Sequence, residues 1–307
     1  MEQIIVITGP TASGKTSLSI ELAQKYNAEI ISADSRQIFE YLDIGTAKVT
    51  KEEQSLVKHH FIDEKKPDEY CSAGQFGDEA FERVNEIKSR NKNIIVVGGP
   101  GLYVKSLFEG LFEEEESEQR SLVRQKFYNI LSSDGENALY DKLLEVDPES
   151  AAIYHDRNHR RIIRALEHYE ITGRTLSSDW KKKNKERQEL NPIYFAIDHN
   201  REELYSRINK RTELMWKEGL VEETKGILEM GFSEELNSLN TVGYKEAILN
   251  IKNELSLELA IEEMQKNTRR FAKRQLTWCR NQIPDLVWLD PNSDMIEKID
   301  KRIKKSP

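Results

Sequence analysis

Long apolar runs are missing from this chain of 307 residues. The longest, IIVI at 4–7 and NIIVVGG at 93–99, fall far short of the ~20 residues that a membrane-spanning helix needs. The N-terminus enters a predicted strand without the charged and then apolar leader of a secreted protein. We therefore expect a soluble globule in the cytoplasm with no membrane partner, and its 37% hydrophobic content is enough for a sizeable core.

Cysteine is also scarce. The two cysteines, Cys71 and Cys279, belong to no paired motif. This argues against a disulfide framework and against a cysteine-rich zinc site. We expect both thiols to be reduced and packed.

An excess of positive charge is lacking as well, because the net charge is −8. That value by itself disfavours a nucleic-acid partner, since binding phosphates requires local positive potential. Arginine and lysine are nevertheless concentrated in three segments, at 157–164, 181–187 and 269–280. We interpret the lysine run at 181–187 as a solvated face. The two arginine clusters have helical spacing and predict phosphate-binding faces. In the first cluster, Ile162, Leu166 and Tyr169 share another side of the helix, which we expect to be packed.

Short apolar segments alternate with helical patterns along most of the chain. We predict strands at 4–8, 30–33, 94–97, 193–197 and 286–289. Helices between such strands indicate a parallel sheet that is covered on both faces. The predicted fold is therefore α/β, a P-loop kinase-like parallel sheet covered by helices.

One segment interrupts this alternation and has no strand signal. It is rich in charge and helix formers, with a predicted helix start at Asp147-Pro148 and a helix end at Gly173. We interpret it as an inserted all-helical subdomain. The predicted boundaries are 1–112 for the first part of the core, 113–192 for the insertion and 193–307 for the second part.

The segment GPTASGKT, residues 9–16, follows a predicted strand and opens a predicted helix. Glycines let such a loop turn its amides inward, and the helix N-terminus adds its dipole, so that the loop can hold a diphosphate. Lys15 adds a positive charge and Thr16 a hydroxyl for Mg²⁺. The predicted diphosphate-binding residues are Gly9, Thr11, Ala12, Ser13, Gly14, Lys15 and Thr16.

Asp34 ends the second predicted strand, in the segment SADSRQIF at 32–39. Ligands of open α/β sheets bind at the carboxyl ends of the strands, so Asp34 is expected to face the ligand of the loop. The third strand ends in GGPG, where many P-loop proteins have an aspartate. An alternative interpretation of Asp34 is a cap for a helix starting near Arg36.

Eight ordered motifs along the chain resemble those of the tRNA dimethylallyltransferases, also called tRNA isopentenyltransferases. They are GPTASGKT at Gly9, SADSRQIF at Ser32, LDIGTAK at Leu42, GGPGLY at Gly98, DPESAAIY at Asp147, RRIIRALE at Arg160, VGYKE at Val242 and AKRQLTWCR at Ala272. The resemblance covers nearly the whole chain. It implies Mg²⁺-dependent transfer of a dimethylallyl group from dimethylallyl diphosphate to the exocyclic amine of the adenosine 3′ of the anticodon.

The resemblance also implies roles for particular residues. The implied catalytic residues are Asp34, the general base that accepts the proton of the amine, Lys15, and Arg211, which reaches the diphosphate. The expected partner of the basic faces is the anticodon stem-loop of tRNA, with the target base extruded from the loop. The implied tRNA-binding residues are Asp34, Ser35, Arg36, Gln37, Arg160, Arg161, Arg164, Gly243, Tyr244, Lys245, Lys273, Arg274, Gln275, Thr277, Trp278 and Arg280.

The chain departs from the family pattern at Pro100, where relatives commonly have a threonine whose hydroxyl contacts the reacting groups. Proline has no hydroxyl, so the resemblance does not imply this contact for Pro100. His59 and His60 resemble a family histidine pair, and we interpret them as packed residues because no acidic or cysteine partner stands at ligand spacing.

Three other functions remain open from the sequence. An adenylate isopentenyltransferase would use the same loop on a free nucleotide, a small-molecule kinase would use it for ATP, and a non-catalytic tRNA-binding protein would keep it as a relic. A monomer is the default expectation.

Overall fold

The computed structural model describes residues 3–99, 101–111, 117–154 and 158–304. The chain divides into two compact units, one formed by Met1–Phe108 with Leu190–Pro307 and the other by Glu109–Glu189. The predicted boundaries of the insertion, 113 and 192, lie within four residues of these limits. No helix in the described ranges is both long enough and apolar enough to cross a membrane.

The first unit is built on one parallel sheet. Its strands are β1 (Ile4–Thr8), β2 (Ala28–Ala33), β3 (His59–His60), β4 (Asn93–Gly98), β5 (Pro192–Ile197) and β6 (Val287–Leu289), in the spatial order β3-β2-β4-β1-β5-β6. The five predicted strands are all present, and no end is shifted by more than two residues. The short strand β3 was not predicted, because two histidines carry no β-branched or alternating signal.

Helices of the first unit cover the sheet. They are α1 (Lys15–Tyr26), α2 (Lys51–Leu56), α3 (Ala73–Ser89), α4 (Leu102–Glu109), α9 (Arg201–Lys217), α10 (Leu220–Glu229), α11 (Tyr244–Ile251), α12 (Leu257–Gln282) and α13 (Met295–Lys304). Alternate residues of the strands point to opposite faces. Ile5 and Ile7 therefore pack with Leu18 and Leu22 of α1, whereas Val6 packs in the core of the other face. Both faces of the sheet are buried, as predicted.

The second unit is helical in its described residues. It contains α5 (Glu118–Val146), α6 (Pro148–Ile153), α7 (His159–Thr172) and α8 (Leu176–Arg187), followed by a short 3₁₀ turn at Gln188–Leu190. Asp147 caps α6 with Pro148 in its first turn, and Gly173 ends α7 in the left-handed conformation, so both predicted helix boundaries are confirmed.

The core of the second unit includes Ile162 and Leu166 of α7 with Leu139 and Leu143 of α5. The sequence pattern also placed Tyr169 on this buried side, and that prediction is wrong because Tyr169 is 38% exposed. The neighbouring polar residues are buried instead. Glu167 pairs with Arg120 at 3.0 Å, and His168 hydrogen-bonds Asp179 at 3.0 Å.

His59 and His60 have the structural role that was predicted. The Nδ1 atom of His59 lies 2.8 Å from the carbonyl oxygen of Val57. His60 is buried, and its two ring nitrogens contact Glu29 at 2.6 Å and Arg83 at 2.8 Å. Among the described residues, no group of three or more histidine, cysteine, aspartate or glutamate side chains could hold a metal ion.

The two cysteines are free. Cys279 is buried, as predicted, and burial raises the pKa of its thiol to about 11. Cys71 is only half-buried, and both its sulfur and its carbonyl oxygen accept hydrogen bonds from the hydroxyl of Tyr103.

Candidate active site

The loop at residues 9–16, the phosphate loop, connects β1 to α1 at the carboxyl edge of the sheet. Gly9 and Gly14 have φ angles of +128° and +95°, a region that side chains with a Cβ rarely adopt. Gly14 is the N-cap of α1, and no side chain occupies that cap. The first-turn amides of the helix therefore remain directed toward a ligand, as in other anion sites at helix N-termini.

Three cationic or ring side chains bind the carbonyl oxygens of this loop. Lys15 Nζ donates to the carbonyls of Gly9 and Pro10 at 3.1 and 2.6 Å. Arg207 Nε donates to the carbonyl of Ala12 at 2.8 Å, and His199 Nε2 donates to that of Ser13 at 2.9 Å. These contacts occupy the negative ends of the peptide dipoles, so that the loop presents its amide ends to an anion.

Thr11 contacts two further elements of the first unit. Its amide donates to Gln275 Oε1 of α12 at 2.8 Å, and its hydroxyl accepts a hydrogen bond from Arg211 of α9. The hydroxyl of Ser13 is buried and has no hydrogen-bond partner among the described residues. A buried donor of this kind fits a loop that binds phosphate oxygens.

The predicted catalytic residues Lys15, Arg211 and Asp34 are brought together. Burial and the positive charge of Arg211 lower the pKa of Lys15 to about 8. The negative charge of Asp34 opposes this shift by favouring the protonated amine. Burial likewise lowers the pKa of Arg211 to about 10, again opposed by Asp34. Two cations and one carboxylate therefore share a poorly solvated region at the ends of β1 and β2.

Asp34 does not cap a helix, because residues 35–38 form turns. Its Oδ1 atom accepts hydrogen bonds from the amides of Arg36 and Gln37 at 2.9 and 3.3 Å. This is an Asx-type turn, in which the carboxylate holds its own loop. The described residues give Oδ2 no hydrogen-bond partner, so one oxygen fixes the orientation and the other is available to accept a proton.

The three residues that follow Asp34 are half-buried. Burial lowers the pKa of Arg36, and Tyr103 and Asp34 oppose that shift, which places Arg36 near both groups. Gln37 donates from Nε2 to the carbonyls of Thr46 and Ala47 at 3.3 and 3.1 Å. Ser35 lies in the same turn.

The sequence model of the family described as IPP transferase matches residues 37–282 of this chain. The chain is 42% identical over 305 residues to the tRNA dimethylallyltransferase of Acetivibrio thermocellus, covering 99% of this chain and 97% of the relative. This chain belongs to the IPP transferase family.

Two solved structures show the same relationship. The tRNA isopentenylpyrophosphate transferase of Staphylococcus epidermidis is 40% identical, with a TM-score of 0.71 and 98% coverage of both chains. A eukaryotic dimethylallyltransferase, solved acting on tRNA, is 29% identical with a TM-score of 0.80, covering all of this chain and 81% of that one. The resemblance read from the eight motifs is thus confirmed, as is the P-loop-like α/β fold of the IPP transferases.

Several tRNA-contacting residues expected in an IPP transferase lie on the exposed face of α12. Lys273, Arg274, Thr277 and Arg280 are exposed, and Trp278 is half-buried. Gln275 is 6% exposed and binds the phosphate loop through Thr11, so the structure gives it a different contact from the predicted one. One helix therefore has a basic outer face and an inner face that reaches the phosphate loop.

The VGYKE motif of the family also contains both exposed and buried residues. Lys245 is exposed, whereas Tyr244 is fully buried and donates to Glu223 Oε1 at 2.6 Å. Burial and the Glu223 carboxylate raise the pKa of Tyr244 well above its usual value. Gly243 is buried next to Gly45, with its amide donating to Glu246. Direct tRNA contacts from Gly243 and Tyr244 are not supported by this arrangement.

The second predicted tRNA face of this IPP transferase is on α7. Arg160, Arg161 and Arg164 are exposed on the side of the helix opposite to Ile162 and Leu166. Arg157 and Pro100 lie outside the described residues.

Three residues that hold these loops were not found from the sequence. His199 follows β5 at the carboxyl edge of the sheet, and Arg207 stands one helical turn before Arg211, so position alone could have indicated both. Glu223 has no local signal, because its partners at residues 43–45 are remote in sequence.

Proposed function

We propose that this protein transfers the dimethylallyl group of dimethylallyl diphosphate to the exocyclic amine of the adenosine 3′ of the anticodon in tRNA. The observation that carries the proposal is the meeting of Lys15, Arg211 and Asp34 at the carboxyl ends of β1 and β2. Anion-binding groups thus lie next to a carboxylate with one available oxygen. The names of the relatives support the same reaction.

The phosphate loop holds the leaving group. The allylic carbon–oxygen bond breaks, diphosphate departs with the bonding electrons, and its charge is stabilised by the loop amides with Lys15 and Arg211. The carbon–nitrogen bond forms as the lone pair of the amine attacks the allylic carbon. Asp34 Oδ2 accepts the proton that the amine loses, because Oδ1 is already engaged by two amides.

The donor groups at this site fit a magnesium ion held mainly by the substrate. Mg²⁺ is commonly bound through one or two protein oxygens together with phosphate oxygens and water, without an all-protein cage. The Thr16 hydroxyl, for which no partner is found in the described ranges, is the protein ligand that we propose. The ion would neutralise charge on the departing diphosphate.

The tRNA substrate is proposed to bind through the exposed basic faces of α12 and α7. Both faces suit a phosphate backbone, while a single-stranded loop base can be extruded toward Asp34 at little cost. A monomer suffices for this proposal, because every residue named comes from one chain.

The test is transfer of labelled dimethylallyl diphosphate in the presence of Mg²⁺. The acceptors are an unmodified anticodon stem-loop, the same stem-loop with guanosine at the target position, and AMP. We expect label only in the first. Comparable labelling of AMP would indicate an adenylate enzyme, and phosphoryl transfer from ATP without prenyl transfer would indicate a kinase. Tight stem-loop binding without consumption of the donor would indicate a non-catalytic binding protein.

A further inference from the structure

The carboxylate of Glu223, on α10, accepts hydrogen bonds from four donors, three of which are amides of one loop of the first unit. Its Oε2 atom accepts from the amides of Asp43 and Ile44 at 3.2 and 2.7 Å. Its Oε1 atom accepts from the amide of Gly45 at 3.1 Å and from the hydroxyl of Tyr244 at 2.6 Å. Three successive amides that converge on one anion form a nest, and here a side chain of the same protein occupies it.

Close packing leaves this loop, residues 42–48, little freedom. A Cβ atom at Gly45 would lie 2.5 Å from the ring of Tyr244, so only glycine fits there. The side chain of Lys48 is 3% exposed and donates to the carbonyl of Phe39 at 2.7 Å. Glu223 therefore fixes a loop that already packs closely on its neighbours.

The other end of the 42–48 loop holds Gln37. The carbonyls of Thr46 and Ala47 are acceptors, so only the NH₂ end of the Gln37 carboxamide can face them. Both hydrogens of that group are used by these two contacts. The oxygen Oε1 has no partner among the described residues and can only accept.

Gln37 follows Asp34 by three residues, and its backbone amide donates to Asp34 Oδ1 at 3.3 Å. An acceptor in this turn would distinguish purine bases by their exocyclic group. The amino group of adenine is a donor, whereas the carbonyl of hypoxanthine at the same position is an acceptor that would oppose Gln37 Oε1. We propose that Glu223 is a positioning residue for base selection: it holds the 42–48 loop so that Gln37 presents an acceptor to the target base. This inference rests on the proposed function.

A purely structural role for Glu223 predicts something different. If the four contacts only stabilise the fold, their weakening should lower thermal stability and reduce binding of both bases alike. If Glu223 acts through Gln37, the weakening should alter the ratio of affinities for the two bases, because the released carboxamide can rotate and present its NH₂ end.

The experiment measures dissociation constants of two anticodon stem-loops, with adenosine or inosine at the target position, in the absence of the prenyl donor. For the unmodified protein we expect roughly a tenfold preference for adenosine, the effect of about one mismatched hydrogen bond. Glu223→Gln places a donor group among four donors. It should bring the ratio of the two dissociation constants, for the inosine and adenosine stem-loops, close to one. Glu222→Gln, an exposed neighbour on the same helix, is the matched control and should keep the preference.

A double-mutant cycle shows whether the effect passes through Gln37. Gln37→Ala should reduce the preference by itself, and adding Glu223→Gln should then change the ratio no further. A full preference in Glu223→Gln, or an equal further loss in the Gln37→Ala background, would overturn the inference, as would the lack of any preference in the unmodified protein. If Glu223→Gln does not fold, Glu223→Asp replaces it, and an intermediate ratio is expected.

Prenyl transfer by the unmodified protein separates the two proposals. Transfer to the adenosine stem-loop with an unchanged ratio in Glu223→Gln would overturn the role of Glu223 alone. Absence of transfer would overturn the proposed function.

Discussion

Two loops at the same edge of the sheet are held mainly by opposite kinds of hydrogen-bonding group, side-chain donors in one and carboxylates in the other. In the phosphate loop, Lys15, Arg207 and His199 bind carbonyl oxygens. In the segment that follows β2, the carboxylates of Asp34 and Glu223 bind backbone amides. The first loop is thereby left with amides to offer to an anion. The second is left with carboxylate and carboxamide oxygens that accept hydrogen bonds.

This difference explains how one crevice can serve two unlike substrates. A diphosphate requires donors and positive charge, whereas the amine of a base requires an acceptor for its proton. If the same groups had held both loops, either the leaving group or the nucleophile would have met the wrong polarity. The predictions that follow test each loop separately.

The largest effect is expected at the acceptor loop, on Asp34. Asp34→Asn keeps the shape of the side chain but removes the base, so single-turnover transfer should slow by roughly 10²–10⁴. Stem-loop affinity should remain close to that of the unmodified protein, because the carboxamide oxygen can still accept from the amides of Arg36 and Gln37. Near-native turnover in rapid-quench measurements would show that Asp34 only stabilises its turn and is not the general base.

The donor loop should respond next most strongly, at Lys15. Lys15→Ala removes one charged donor from the diphosphate, and donor binding and transfer should weaken together, by about 10²–10³ in kcat/KM. Thr16→Ala should instead raise the Mg²⁺ concentration required for half-maximal transfer. The measurements are donor titration calorimetry and a Mg²⁺ titration of initial rates. Unchanged values in both variants would contradict a diphosphate-binding loop.

A pH effect should distinguish the two loops as well. The pKa of Lys15 is lowered to about 8, and the protonated amine is the form that attracts diphosphate. Donor affinity should therefore be constant below the pKa and fall by up to about tenfold per pH unit above it. Lys15→Arg keeps its proton throughout this range and should lose the alkaline decline. A decline that persists in Lys15→Arg would assign the titration to another group.

The smallest effects are expected on the basic faces outside both loops. Arg161→Ala and Arg274→Ala should each raise the apparent KM for tRNA severalfold and leave donor affinity unchanged. About five phosphate contacts imply a log–log salt slope of roughly −3 to −4, and each substitution should flatten it by about one unit. Lys182→Ala, at an exposed lysine of α8 outside both basic faces, is the control. The predicted solvated face at 181–187 holds only in part, because Arg187 is buried. Salt-insensitive tRNA binding would exclude phosphate contacts by these faces.

Local patterns in the sequence were sufficient for much of the fold. Apolar runs bounded by glycine and polar residues predicted five of the strands, and the phosphate loop was found because its spacing is local. Tyr169 was misplaced because helical spacing cannot tell a rim position from a core position. Gln275 and Tyr244 were assigned to tRNA by motif alone, and burial shows that other partners compete for such residues.

The contacts that hold the site could not be predicted from the sequence. Glu223 reaches the amides of residues 43–45 only after the chain folds, and no periodicity marks a carboxylate that will meet a distant backbone. The turn at Asp34 illustrates the same limit. A strand end followed by polar residues suits either a helix cap or an Asx turn, and only the geometry of the following residues separates them.

The strand order has a consequence for the synthesis of the protein. Ile5 of β1 pairs with Ile95 of β4 and with Ile193 of β5, so β1 is synthesised well before both of the strands that pair with it. Contacts this remote in sequence slow folding and leave nascent strand edges exposed. The phosphate loop is also translated long before Arg207 and Arg211, and Gln275 follows later still. During synthesis, the phosphate loop is therefore present long before the residues that complete the donor-binding site.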